Sequence, residues 1–247
     1  MSSLNSLSLD MMGMKAEQQF KMRHRLIDGP TLKLEHLCIR ADETIWFAAL
    51  NKCSSTHLKS LDVGRVSFEQ WLACQHVEFQ RVESLRLFMD DTDSTRERPS
   101  LSMNFRTVFV ARSSFRNLKT LILCEGPSKL ARKIDTLQQR RRFYENVRSL
   151  ARELRESFPE LERFSCNFWS GRLGNIMDET GMTGRHDWGR FYNVLVNLVA
   201  NEHPRLREMC ILVEKPHFYQ WERIRNTTVR RNHQGFNLHV FPFGLGD

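Results

Sequence analysis

One short phrase, apolar-x-x-apolar-x-apolar, returns six times along this chain and limits the fold more than any other feature. Its first copy is Leu34-Glu35-His36-Leu37-Cys38-Ile39, and the others begin at Leu58, Val82, Leu118, Leu161 and Leu206. The first three copies start 24 residues apart, and the later gaps are 36, 43 and 45 residues. The alternation in the last four letters suits a strand, whose successive side chains point to opposite faces. A unit that returns every few tens of residues cannot bury its apolar side alone and must stack on its neighbours, which is the signature of a solenoid. The phrase therefore predicts that 34–40, 58–64, 82–88, 118–124, 161–167 and 206–212 are neighbouring parallel strands in chain order. Solenoids more often present binding surfaces than catalytic pockets.

The segments between the phrases read as returns. Asp42 to Lys52 opens on an N-cap residue type and spaces Ile45, Trp46, Ala49 and Leu50 as a helix does. Ser67 to Val77 reads the same way, and Asn104 to Arg112 suits strand or helix. Ile134 to Phe158 and Asp187 to Glu202 are predicted helices that stop before Pro159 and Pro204. His217 to Arg231 reads as a last helix, followed after Gly235 by an apolar closing strand, Phe236 to Phe243. Asp90 to Ser100 and Ser170 to Gly189 read as surface loops. Residues 1–30 read as an N-terminal extension, either a cap or disordered, and residues 31–247 as one repeat domain.

The letters around the phrase carry a family resemblance. Phe115-Arg-Asn-Leu118, Phe158-Pro-Glu-Leu161 and His203-Pro-Arg-Leu206 set a bulky ring three residues before the first apolar letter. Over about Leu32 to Val213 these strings resemble the degenerate leucine-rich repeats of F-box proteins from filamentous fungi. The resemblance implies an α/β fold, an irregular leucine-rich-repeat solenoid with parallel strands on one face and helices on the other. In that family an F-box docks a cullin-linked adaptor and the repeats select proteins for ubiquitylation. Here Met1 to Pro30 holds no L-P-x-E-I start, so the resemblance does not carry docking of the cullin-linked adaptor over to these residues, and the asparagine that usually follows L-x-L is missing from the phrases.

Composition narrows the remaining options. The chain of 247 residues carries a net charge of +8, which favours anionic partners. Ala131 to Glu156 concentrates eight basic residues against four acidic ones, and Arg140, Arg141 and Arg142 precede Phe143 and Tyr144. That string is the candidate site for nucleic acid or an anionic lipid, since arginine binds phosphate and aromatic rings stack on bases. No apolar run reaches the roughly 20 residues of a membrane span. The six cysteines form no C-x-x-C pair, which suits buried thiols in a reducing compartment. We therefore expect an intracellular protein, cytoplasmic or nuclear, without a metal or other cofactor.

Strand alternation would turn His36, Cys38 and Arg40, Ser60, Asp62 and Gly64, Ser84, Arg86 and Phe88, and their later counterparts outward. His36, Cys38 and Asp62 share that face, but nucleophilic catalysis also needs an oriented base and an oxyanion hole, so no catalytic residue is assigned. The glycines between Gly171 and Gly189 lack the G-K-[ST] of a phosphate loop. The expectation is a non-catalytic protein-interaction scaffold, the substrate-recognition part of an F-box-type ubiquitin-ligase component. Its candidate partner-binding residues are Arg40, Arg86, Phe88 and Arg163, because arginine and aromatic side chains dominate interface hot spots. The partner itself is not legible in the sequence.

Overall fold

The computed structural model describes residues 4–11, 13–41, 43–53, 56–66, 79–89, 115–125, 137–167, 188–212 and 217–245. They form a mixed α/β protein with an open sheet of nine strands that runs in chain order from β1 to β9. The strands are β1 (Ser6–Asp10), β2 (His36–Arg40), β3 (Ser60–Val66), β4 (Ser84–Met89), β5 (Thr120–Glu125), β6 (Arg163–Asn167), β7 (Glu208–Leu212), β8 (His217–Glu222) and β9 (Thr227–Asn232). Four described helices, α1 (Ala16–Asp28), α2 (Glu43–Lys52), α3 (Leu137–Ser157) and α4 (Trp188–Glu202), lie between them. The expected returns at 67–77 and 104–112 lie outside the described residues, as do the loop at 90–100 and nearly all of that at 170–189.

The six phrases become β2 to β7, all parallel and in chain order. Their apolar letters stack in register: Leu37 beside Leu61, then Leu85, Leu121, Phe164 and Met209. All of these are buried, together with Val147, Leu150 and Leu154 of α3 and Phe191, Leu195 and Val199 of α4. The helices therefore cover the inward face, and apolar burial there supplies the main driving force.

The slot three residues before the phrase is equally regular. Phe79, Phe115, Phe158 and His203 fill it, each at most 1 % exposed. The amide of Val82, Leu161 or Leu206 donates to the carbonyl of its slot residue at 3.1 Å, so each ring is fixed by the turn that enters the strand.

Three sequence expectations need correction. First, the extension holds a seventh copy of the phrase, Leu4-Asn5-Ser6-Leu7-Ser8-Leu9, and its strand β1 pairs in parallel with β2. Second, residues 217–232 form an antiparallel hairpin, β8 and β9, instead of a helix. Phe218, Tyr219 and Trp221 are buried along β8, and Thr227, Thr228 and Val229 in β9 are β-branched, so packing and side-chain stiffness both favour strands. Arg223 ties this hairpin to the end of α4 by donating to the carbonyls of Ala200, His203 and Leu206 at 2.6–2.9 Å. Third, Phe236 to Phe243 adds no strand. It runs as turns, with Gly235 at φ 90°, back across the sheet.

Candidate functional site

The outward face of the sheet has two halves. Along β5 to β8 the outward side chains of Ile122, Cys124, Cys210, Leu212 and Phe218 form a second, smaller apolar cluster. Residues 236–245, here termed the strap, cover it with Phe241, Phe243 and Leu245. Phe218 meets Phe236 and Phe243 edge to face, at centroid distances of 4.8 and 5.2 Å. Ser165 Oγ donates to the Pro242 carbonyl at 3.0 Å, beneath the strap. The strap turns tightly: the amides of Phe243 and Gly244 both donate to the Val240 carbonyl, at 2.9 and 2.8 Å. A Cβ at Gly244 would run into the His239 carbonyl, so the turn needs glycine there.

Beyond the strap, over β1 to β4, the face opens into a cleft of about 520 Å³. Its floor is polar. Asp62 and Arg86 lie side by side in the register of β3 and β4, and Arg86 Nη1 donates to both carboxylate oxygens at 2.9 and 3.1 Å. Both side chains are largely buried, at 15 % and 17 % exposure. Burial works against the Arg86 charge, but the neighbouring Asp62 carboxylate more than offsets this, and the guanidinium stays protonated. The rim carries His36, Ser6 and Ser8, together with Arg40, whose Nη1 is 4.0 Å from Asp10. Arg40 lays its stem over Gly64: a Cβ there would sit 3.0 Å from Arg40 Cγ. Leu238, His239 and Leu245 of the strap form the far wall.

Cys38 lies in the cleft beside Asp62. Burial, and after it the Asp62 charge, raises the Cys38 pKa and keeps the thiol protonated at neutral pH. Burial pushes Cys53 up to about 11, and holds Cys210 well above the usual thiol range. Among the described residues no group of three or more His, Cys, Asp or Glu side chains could hold a metal ion. Nor is any described helix long and apolar enough to cross a membrane.

The four residues expected to bind a partner share this face but divide between its halves. Arg40 is on the cleft rim and Arg86 in its floor. Phe88 is half-buried against the apolar cluster under the strap. Arg163 donates Nε to Thr120 Oγ1 at 3.0 Å and stacks over Phe241, 5.5 Å from the ring centre. The expectation of one open face along all strands is thus corrected: the chain's own strap takes half of it. Arg140, Arg141 and Arg142 fall in the first turns of α3, and their side chains lie outside the described residues.

One ordered feature escaped the sequence reading. The second letter of the phrase alternates in sign along the sheet: Glu35, Lys59, Glu83, Lys119, Glu162, Arg207. Each amide in this row donates to the preceding member's carbonyl at 2.7–2.9 Å, so the row is physically contiguous. Lys59 pairs with Glu35 at 3.1 Å, Lys119 with Glu83 at 3.0 Å and Arg207 with Glu162 at 3.4 Å. The signal was present once the copies were aligned, but it lies in the letters an apolar pattern ignores.

Together these features define an open-sheet α/β protein whose outward face is divided between its own strap and a polar cleft. No family model, curated protein or solved structure matches the chain.

Proposed function

We propose that this chain is a non-catalytic protein-interaction scaffold of leucine-rich-repeat type, and that the cleft over β1 to β4 receives an irregular segment of a partner protein. The observation that carries the reading is the strap. This face already holds one irregular peptide, through a ring stacked under an arginine, a carbonyl accepting from a buried serine, and aromatic side chains set into an apolar floor. The cleft continues that surface with hydrogen-bonding groups of both kinds. Irregular chain carries backbone donors and acceptors that must be satisfied on docking, and Ser6, Ser8, His36 and Arg40 are placed to do so. Of the expected binding residues, Arg40 and Arg86 front this cleft, while Arg163 stacks on the strap's Phe241 and Phe88 packs on the apolar cluster beneath the strap. The finer reading, by resemblance, is a substrate selector of an F-box-type ubiquitin ligase.

The test is capture of partners by the wild-type chain and by two variants, His36→Ala/Arg40→Ala and Arg140→Ala/Arg141→Ala/Arg142→Ala, at low and high salt. A protein lost only with the cleft variant, and weakly salt-dependent, is the expected outcome. If it is a ligase substrate, it turns over more slowly in cells lacking the chain. Binding lost with the arginine cluster and falling steeply with salt would transfer the function to an anionic ligand such as nucleic acid or lipid.

A further inference from the structure

Arg86 is only half used by its ion pair. A guanidinium can grip two oxygens along either of two edges, Nη1 with Nη2 or Nη2 with Nε. Asp62 takes both of its hydrogen bonds from Nη1 alone, at 2.9 and 3.1 Å. Nη2 and Nε, whose N–H groups form the second edge, donate to no described residue, and Nε is buried. Polar atoms shut away without a partner are rare in folded proteins, and each calls for an explanation. Of the four such side-chain atoms among the described residues, only Arg86 Nε belongs to a residue that lines the cleft.

We propose that the cleft is a carboxylate-binding site in which the Nη2–Nε edge of Arg86 grips the carboxylate of a docked segment. A carboxylate offers two coplanar oxygens to two parallel N–H groups, whereas a carbonyl or hydroxyl offers one atom and leaves one donor unmet. The floor beside Arg86 is built from small side chains, Ser8, Cys38 and Ser60, which leave room for a ligand above them. Ser60 lies next to His36 in register, and its hydroxyl is a further donor to the same ligand. The guanidinium is already largely buried, so a hydrogen bond made there forms in a medium of low dielectric and gains strength from it. Charge decides between the common oxyanions. The two arginines of the cleft face two carboxylates, Arg86 at Asp62 and Arg40 at Asp10, so the site holds little net positive charge. A phosphate group brings about −1.5 to −2 charges into that setting, and a carboxylate brings one.

The site deepens the function proposed above and rests on it for the source of the carboxylate, which is the partner's docked segment. That segment can supply it from an acidic side chain or from its own C-terminus. Arg86 then sets the register of the segment in the cleft, as the Arg163 stack on Phe241 fixes the strap beside it.

An NMR titration of the full 247-residue chain, read at the arginine Nε–Hε signals, tests this. The probes are N-acetylglycine, for a C-terminal carboxylate, and the methylamide of N-acetylaspartate, for an acidic side chain. Acetamide is the uncharged control and inorganic phosphate the competing oxyanion. The Arg86 signal is expected to shift and saturate with a carboxylate, while that of Arg163, whose Nε is already bonded to Thr120, stays in place. The carboxylate that saturates at the lower concentration identifies the source. Arg86→Lys keeps the charge but not the two-donor edge, and is expected to lose saturable binding, read at the backbone amides of Cys38 and Ser60. If that variant fails to fold by circular dichroism, the contrast between Arg86 and Arg163 in the wild type decides. No saturation with either carboxylate, an equal shift with acetamide, tighter binding of phosphate, or saturable binding kept by folded Arg86→Lys would overturn the proposal. Such a result leaves the docking function standing, since partner capture does not use these probes. Capture that is indifferent to His36→Ala/Arg40→Ala overturns the docking function and leaves a saturable carboxylate site in place.

Discussion

His203 occupies a slot that Phe79, Phe115 and Phe158 fill with hydrocarbon. It is 1 % exposed, its Nε2 bonds the Phe158 carbonyl at 3.0 Å, and its Nδ1 is buried without a hydrogen-bond partner. The carbonyl accepts, so Nε2 carries the proton of the neutral ring. Burial, and with it the nearby Arg223 and Arg155 charges, lowers its pKa below the usual 6.5. The unfolded chain therefore takes up this proton at a higher pH than the folded one. Its contribution to stability is full above about 6.5 and declines as pH falls from there toward the folded pKa. Urea midpoints are expected to drop between pH 7.5 and pH 5 in the wild type, and less in His203→Phe, which restores the ring of the other slots. The Asp62–Arg86 pair makes a second residue-scale prediction. Asp62→Ala leaves the Arg86 charge in a largely buried site without its acceptor and is expected to cost about 1–3 kcal/mol in urea denaturation. The double change with Arg86→Met recovers part of that loss, because it removes the stranded charge. Leu121, fully buried at the centre of the array, gives the packing counterpart: Leu121→Ala is expected to destabilise by about 2–5 kcal/mol.

At the scale of elements, the parallel strands were legible because six copies of one pattern reinforce one another. The hairpin and strap were not. His217 to Arg231 occurs once, and its apolar letters at 218, 219 and 221 suit either period over so short a span. Phe236 to Phe243 reads as a strand because it is an apolar run after Gly235, and apolar content alone cannot distinguish a strand from irregular chain that lays its rings on a surface. The candidate site was legible only in part for the same reason. Alternation placed Arg40, Arg86, Phe88 and Arg163 on one face, but the cover over Phe88 and Arg163 comes from residues far along the chain, beyond the reach of any local pattern. The strap is accessible to a direct test. Cys210 is fully buried beneath it, among Ile122, Leu212 and Phe218. Phe243→Ala, or Gly244→Ala with its clash at His239, is expected to loosen the strap and speed labelling of Cys210 by a thiol reagent at alkaline pH. Unchanged labelling in both variants would mean that the strap is not what shields that thiol.

Across the whole molecule, the charge row along Glu35, Lys59, Glu83, Lys119, Glu162 and Arg207 opposes unlike signs at every step. Each exposed pair is worth only about 0.2–1 kcal/mol, yet a strand placed beside the wrong neighbour would set like signs together at its entry. Glu83→Lys is expected to lower the urea midpoint slightly by lining up three cations, more at low salt than at high. The row also restricts how such a chain can change length. Excising the interior unit from Leu58 to Arg81 would bring Glu35 beside Glu83, and duplicating it would bring one lysine beside another. Removing or adding two adjacent units leaves the alternation intact. As far as this row is concerned, the chain can therefore lengthen or shorten with less electrostatic cost by an even number of phrase-to-phrase units than by an odd number.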